Sequence, residues 1–348
     1  MSKQITGMSY DERSEEERQY LLKKAGQILY EVFEEVKPMV KPGAKLLDIC
    51  NTAENLIYEK GARPSFPCNV SVNYMAAHYT SPYNDETIIP EASIVKLDMG
   101  AHIDGFISDK ADTFCFAKEL ETVKEASYAG WKAGMELMKP ELETSMIGVA
   151  TEDKIKEYNY KPIRELAGHL LDRYRLHGSK SLPNIRIPYA KANSVVEEKE
   201  AYAFEVFATT GGGSVHEVKP KTYIYMLMPR RVPVRSRDSK AIRNFAFNEY
   251  STLPFTDRWL MQNDSFNPGR VRLTINEMKR HGGLYEYSVL AEEKDAMVSQ
   301  YEESFIVTEA KYEITTLPPF DYKMPESLKE KEENQEEKQE EEEKDKTE

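Results

Sequence analysis

The sequence predicts an α+β chain whose two halves share one element order: helix, helix, strand, hairpin. Three observations predict it. Apolar residues recur at the helical period in two pairs of segments, one pair opening each half. Extended, alternating runs follow each pair, and Asp104-Gly105 sits between two of them. Asp-Gly between alternating runs is a strong hairpin signal, because both turn positions require positive φ. Finally, the closing hairpin of the second half is split by a long insertion.

Taken in order, Leu21, Leu22, Ala25, Ile28, Leu29, Val32, Phe33 and Val36 define a helix from about Glu17 to Val36. Acidic residues precede it, as suits a helix N-terminus, and Pro38 and Pro42-Gly43 end it. A second helix spans about Leu46 to Tyr58 and is closed by Gly61. Extended chain follows near Phe66 to Asn73, then the hairpin of 94–103 with 106–116. The order repeats with helices over about Glu121 to Met138 and Met146 to Tyr158, extended chain over about Pro162 to Tyr174, and a strand from Ala201. That strand's expected partner begins at Val298. The organisation read from this is an N-terminal extension (1–16), a main body (17–229 and 295–316), a helical insertion (230–294) and a disordered tail (325–348). Helical periodicity in the insertion falls around Ala241 to Trp259 and Val271 to Lys279.

Composition narrows the function. The 348 residues carry 47 Lys+Arg against 60 Asp+Glu, a net charge of −13. The segment Pro325 to Glu348 holds 12 acids and 5 bases, so −7 of the −13 lies there and −6 remains elsewhere. That balance speaks against a general nucleic-acid binder, and the tail's lack of apolar residues predicts disorder. No run approaches the ~18 apolar residues of a membrane span. The start, Met1-Ser-Lys-Gln-Ile-Thr-Gly, has no apolar signal core. Three cysteines without CxxC spacing argue against a disulfide scaffold or a thiolate zinc site. The expectation is a reduced, cytoplasmic, monomeric globular protein with no membrane partner.

The hairpin brings two carboxylates together. With Asp104-Gly105 as a two-residue turn, Asp98 lies opposite Ala111 and Asp109 opposite Gly100, so all four share one face. Asp98 and Asp109 become diagonal neighbours with Cα atoms about 7–8 Å apart, beside small residues that leave room. The other face carries Val95, Leu97, Met99, Phe114 and Phe116, a core face, and Asp112 falls with them. Facing carboxylates repel unless a cation or proton intervenes. On its own, such a pair is also compatible with a solvated sheet face. Glu205 in the apolar run Tyr202-Ala-Phe-Glu-Val-Phe, Glu302 in the partner strand, and His169 after Gly168 supply a mixed oxygen and nitrogen set suited to Mn, Fe, Co or Zn. From residue types alone their assembly stays open.

Lys96-Leu-Asp-Met-Gly with Asp109, Ala76-Ala-His-Tyr-Thr, Gly168-His169, Glu205-Val-Phe-Ala-Thr-Thr-Gly and Gln300-Tyr-Glu occur in this order. Together they resemble the methionine aminopeptidases, and Leu253-Pro-Phe-Thr-Asp-Arg-Trp-Leu resembles the archaeal-like type 2 branch, over about Leu21 to Thr316. The resemblance implies the pita-bread fold, an antiparallel sheet with pseudo-two-fold symmetry flanked by helices and carrying a type 2 insertion. It implies two divalent metal ions (Co, Mn, Fe or Zn) held by Asp98, Asp109, His169, Glu205 and Glu302. It further implies Glu205 as proton shuttle, and His78 and His177 as substrate-binding, catalytic residues. The implied activity is removal of initiator methionine from nascent polypeptide N-termini by metal-activated water. Two departures stand out: Glu303 replaces a histidine and Val206 a proline. By alternation Glu303 points away from Glu302.

Other features read more plainly. His102 shares the Asp98 face at the hairpin's end and reads as exposed or supporting. His216 and His281 read as surface residues, Gly211-Gly-Gly-Ser as a turn, and Cys50, Cys68 and Cys115 as buried structural thiols. Pro229 to Arg243 holds Arg230, Arg231, Arg235, Arg237, Lys240 and Arg243 against Asp238. It reads either as a solvated face or as an electrostatic contact with ribosomal RNA. The rival functions are a proline peptidase of the same fold and a non-catalytic, ribosome-associated adaptor. A further rival treats the insertion as a nucleic-acid module.

Overall fold

A computed structural model of the chain describes residues 13–187, 194–230, 232–234 and 236–330. Most of the expected N-terminal extension (1–12), the tail beyond 330, and Arg231 and Arg235 of the basic stretch lie outside the described residues. The first half begins with α1 (Glu15–Val36), which opens two residues earlier than the periodicity suggests. The reason is a capping box: the Ser14 hydroxyl accepts the Glu17 N–H, and the Glu17 carboxylate accepts the Ser14 N–H. Then come α2 (Leu46–Glu59), β1 (Arg63–Val72), β2 (Met75–Ala77), β3 (Ile94–Ile103) and β4 (Phe106–Cys115). Asp104 and Gly105 both have positive φ, 50° and 83°. The turn therefore matches strand twist, and Ile103 pairs with Phe106 as expected.

The second half repeats the order with α3 (Glu121–Leu137), α4 (Thr144–Glu157), β5 (Lys161–Pro162), β6 (Ala167–Leu171), β7 (Ser181–Pro183) and β8 (Ala201–Thr209). The interruption contains β9 (His216–Leu227), α5 (Arg237–Tyr250), β10 (Phe255–Thr256), α6 (Asp257–Gln262), α7 (Pro268–Arg280) and β11 (Leu284–Ala291). β12 (Val298–Val307) and β13 (Tyr312–Ile314) close the body. The main sheet runs β1-β3-β4-β12-β8-β6-β7. β4 and β12 meet at its centre, and each has its hairpin partner and then an outer strand on its far side. This is the pseudo-two-fold arrangement of the two halves. On one sheet face, α1 and α2 bury Leu29, Phe33 and Ile49 against Val70, Leu97 and Met99. On the second half, α3 and α4 bury Val123, Met135 and Ile147 against Phe204, Val206 and Phe305. The opposite face is left for a site.

Three sequence expectations need correction. The helix expected over 241–259 is two helices: α5 ends at Tyr250, Ser251 has φ of 53°, and Pro254 lies in the break. The segment 230–294 is not helical throughout, because it contains β10 and β11, which join β9 and β2 in a separate four-stranded sheet. Pro325 to Glu330, assigned to the disordered tail, includes a helical turn. There Leu328 joins the core beside Leu21 and Leu22, and the Ser327 hydroxyl donates to Glu17.

Arg258 clips the interrupting segment to α2. Its guanidinium is fully buried and donates to both oxygens of Glu54 at 2.7 Å, to Asn51 Oδ1 at 2.8 Å and, through Nε, to the Ser81 carbonyl at 2.8 Å. Trp259 Nε1 donates to the same Glu54 carboxylate. A bidentate fork with its remaining donors engaged is how a buried guanidinium is tolerated.

Candidate metal centre

Cross-strand register builds the site in two rows. Asn69, Asp98, Ala111, Glu302 and Glu205 are successive partners across β1, β3, β4, β12 and β8. One pleat further along, on the same face, Phe66 pairs with Gly100, Gly100 with Asp109, and Ser304 with Ala203, whose next partner is His169. The Ser304 hydroxyl joins the two half-rows. It accepts the Asp109 N–H at 2.8 Å and donates to the Asp109 carbonyl at 2.9 Å. Gly168 lets β6 approach β8, since a Cβ there would stand 2.7 Å from the Ala203 carbonyl oxygen.

All seven residues named from the sequence line one cavity: Asp98, Asp109, His169, Glu205, Glu302, His78 and His177. Asp109, His169 and Glu302 bring ligand atoms within 4.8 Å of one another, and His169 Nε2 is 3.9 Å from Asp109 Oδ2. The His169 and His177 rings lie 4.5 Å apart, and Tyr287 packs against both His177 and His78. His78, at φ of 64°, is held by a 3.1 Å bond between Nδ1 and the Ser288 carbonyl. A carbonyl only accepts, so this Nδ1 carries the proton.

Burial dominates the electrostatics. It pushes the Asp98 carboxyl up to about 7, against hydrogen bonds from Gln300 and Asn69. It raises Asp109, Glu205 and Glu302 well above the usual carboxylate range, and neighbouring carboxylates add to the effect. Burial also lowers the histidines, His169 to about 4, with His78 and His177 shifted the same way. Asp98 Oδ1, Asp109 Oδ1, Glu302 Oε1 and His169 Nδ1 are buried without a hydrogen-bond partner. Orphaned carboxylate oxygens facing one another, beside a neutral imidazole, fit divalent cations.

The sequence profile of metallopeptidase family M24 matches residues 20–239. The chain belongs to metallopeptidase family M24. A methionine aminopeptidase of Saccharolobus solfataricus is 41% identical over 283 residues, covering 81% of this chain and 92% of that one. One of Pyrococcus horikoshii is 38% identical over 292 residues, covering 84% and 97%. Among solved structures, a thermophilic Arx1 aligns with a TM-score of 0.76 at 21% identity, covering 86% of this chain and 91% of that one. That likeness shows the fold alone. The fold of this M24 metallopeptidase is the α+β pita-bread fold.

Several site features of the M24 chain escaped sequence reading. Gln300 directs its amide Nε2 at Glu302 (3.2 Å), Glu205 (3.4 Å) and Asp98 (3.5 Å). Its signal was present: alternation puts it on the Glu302 face. Phe66, Leu166, Leu176, Ile224, Pro254 and Tyr287 form apolar walls. Gly100 does not leave room for an ion, because Phe66 occupies that space; a Cβ there would stand 2.2 Å from its ring. Glu303 points to the other face as expected and is fully buried. It pairs with Lys110 and accepts from Tyr301 (3.0 Å) and Thr316 (2.5 Å). His102 is buried rather than exposed and faces a second cavity. His216 and His281 are exposed, and Cys50 and Cys68 are buried, whereas Cys115, expected in the core, is only partly buried.

Proposed function

We propose that this chain removes N-terminal methionine from peptides and nascent polypeptides, with two divalent ions held by Asp98, Asp109, His169, Glu205 and Glu302. The observation that carries the reading is the set of four carboxylates and one imidazole lining one cavity, in a chain at 41% identity to a methionine aminopeptidase. When bound, the ions supply Lewis acidity and bring the pKa of water toward neutrality.

The chain's own residues set the specificity. With their charge balanced by the two ions, these carboxylates would leave a site that takes a free amine through its lone pair and excludes a blocked N-terminus. The apolar walls of Phe66, Leu166, Leu176, Ile224, Pro254 and Tyr287 suit an unbranched thioether. Neutral His78, protonated on Nδ1, presents Nε2 as an acceptor for a peptide N–H. His177, packed between His169 and Tyr287, is assigned to the reacting carbonyl. Glu205 has its pKa raised by burial and by Asp98. It can take up a proton and return it to the leaving amine.

The interruption contributes Pro254 and Tyr287 to the walls, which supports treating 230–294 as a pocket-shaping unit. Within its basic stretch Arg230, Arg237 and Lys240 are exposed. They are assigned a salt-dependent contact with ribosomal RNA. Among the described residues no helix is long and apolar enough to cross a membrane, and a cytoplasmic monomer is proposed.

Mass spectrometry of Met-Ala-Ser, its N-acetylated form and Ala-Pro-Ser tests the activity after metal is added to chelator-stripped protein. Loss of methionine from the first peptide alone is expected. Cleavage of Ala-Pro-Ser instead moves the activity to a proline peptidase. No cleavage by the folded, metal-loaded protein favours the adaptor reading.

A further inference from the structure

The paired strands β9 and β11 turn one face to the interrupting helices and the other to the metal cavity. Tyr225, Leu227 and Leu284 pack with Ile242, Leu260 and Met278 of α5, α6 and α7. By alternation Ile224, Met226, Tyr285 and Tyr287 share the opposite face, where Tyr287 pairs with Ile224 and Tyr285 with Met226. The first pair lines the metal cavity. The second pair continues that wall outward. The Tyr285 and Tyr287 rings lie 4.8 Å apart, edge to face, and the Tyr287 hydroxyl donates to Met226 Sδ at 3.6 Å.

We infer that Tyr285 and Met226 form a further subsite, which takes an apolar or aromatic side chain at the third or fourth residue of the peptide substrate. The inference rests on the proposed aminopeptidase activity. With the α-amine at the metal centre and His78 and His177 beside the first peptide bond, the chain beyond the second residue leaves past Tyr287, which packs against both histidines. An extended peptide advances about 3.3 Å per residue. A substrate with its second residue at Tyr287 therefore brings its third and fourth over the Tyr285–Met226 pair.

The chemistry of the pair sets what it takes. Tyr285 is 51% exposed and Met226 is half-buried, so both offer apolar surface beside the cavity. Ile224, Met226, Tyr285 and Tyr287 carry no charge at neutral pH, and burial raises the Tyr287 hydroxyl further above its usual range. The row therefore favours apolar side chains over acidic ones. An open tyrosine edge pairs with an aromatic ring. A flexible, polarisable thioether adapts to side chains of different shape, as a surface that meets many different N-termini requires.

The test compares kcat/KM for Met-Ala-Phe-Phe and Met-Ala-Ser-Ser on the full, zinc-loaded chain. The first should exceed the second by about three- to tenfold, the effect of one added aromatic contact. Tyr285→Ser, at an exposed position, should bring the ratio close to one. Tyr128→Ser, at a tyrosine 46% exposed on α3, should leave it as it is. A second readout needs no turnover: Met-Ala-Ser-(p-benzoylphenylalanine) is photocrosslinked to chelator-stripped protein and the attachment is mapped by mass spectrometry. Attachment to Met226 or Tyr285 is expected. Failure to cleave either peptide counts against the aminopeptidase reading, and the crosslink then decides the subsite on its own. Three outcomes overturn the proposal: cleavage of both peptides with a ratio near one, a ratio unmoved by Tyr285→Ser, or crosslinks that fall outside β9 and β11.

Discussion

Asp98→Asn should stabilise the metal-free protein at neutral and alkaline pH even as it removes a proposed ligand. Asp98 titrates at about 7 in the fold, against 3.8 in the unfolded chain, because burial opposes its ionised form. The folded state therefore binds more protons than the unfolded state between those values, and stability falls as pH rises through the window. A carboxyl moved from 3.8 to about 7 corresponds to about 4 kcal/mol. Asn is neutral throughout and avoids that loss. The pair should thus have similar stability near pH 4, and the variant should be ahead by up to about 4 kcal/mol at pH 8. Urea unfolding of chelator-treated proteins at the two pH values measures the difference. Saturating zinc should reverse the order, since a ligand bound only to the native state stabilises it by mass action. A variant less stable than the parent at pH 8 without metal would refute the reasoning.

Other outcomes follow from the same contacts. Gln300→Leu removes the amide aimed at Asp98, Glu205 and Glu302. Metal affinity by calorimetry should drop by about 10–100-fold, the usual effect of losing a ligand-orienting partner, while the fold persists. Lys110→Met strands Glu303 as a buried, unpaired acid and should destabilise by about 3–5 kcal/mol in urea, with Lys110→Met/Glu303→Leu recovering most of it. Arg258→Ala removes the bidentate contact to Glu54 and should cost about 3–5 kcal/mol. Hydrogen exchange should then be fastest in α6, where the interrupting segment loses its hold on α2.

The legible part of the site was its local part. Asp98 and Asp109 sit on strands joined by a two-residue turn, so pairing follows from counting, and the register Asp98 with Ala111 is the one observed. Glu205 and Glu302 are direct partners too, but the whole interruption separates them in sequence. Alternation marks each strand's faces without setting the register between them; the family resemblance supplied that link. The strands β9 and β11 were missed for a related reason. Their register shifts within the pairing break the alternation, and β2, which completes their sheet, belongs to the other half of the chain. Phe66, Pro254 and Tyr287 reach the cavity from three distant segments, and none carries a local signal. The break at Ser251 to Pro254 was visible as a proline within a helical period, which commonly ends a helix. His102 looked peripheral because strand position alone does not show that Tyr174 packs against its ring.

The first measurement is calorimetric titration of zinc into chelator-stripped protein, with methionine release from Met-Ala-Ser followed in the same samples. Uptake of two ions per chain is expected, with release rising as they bind and both lost in Asp109→Ala. Full activity without bound metal, or uptake unchanged in Asp109→Ala, would contradict a metal centre built by the two carboxylate rows.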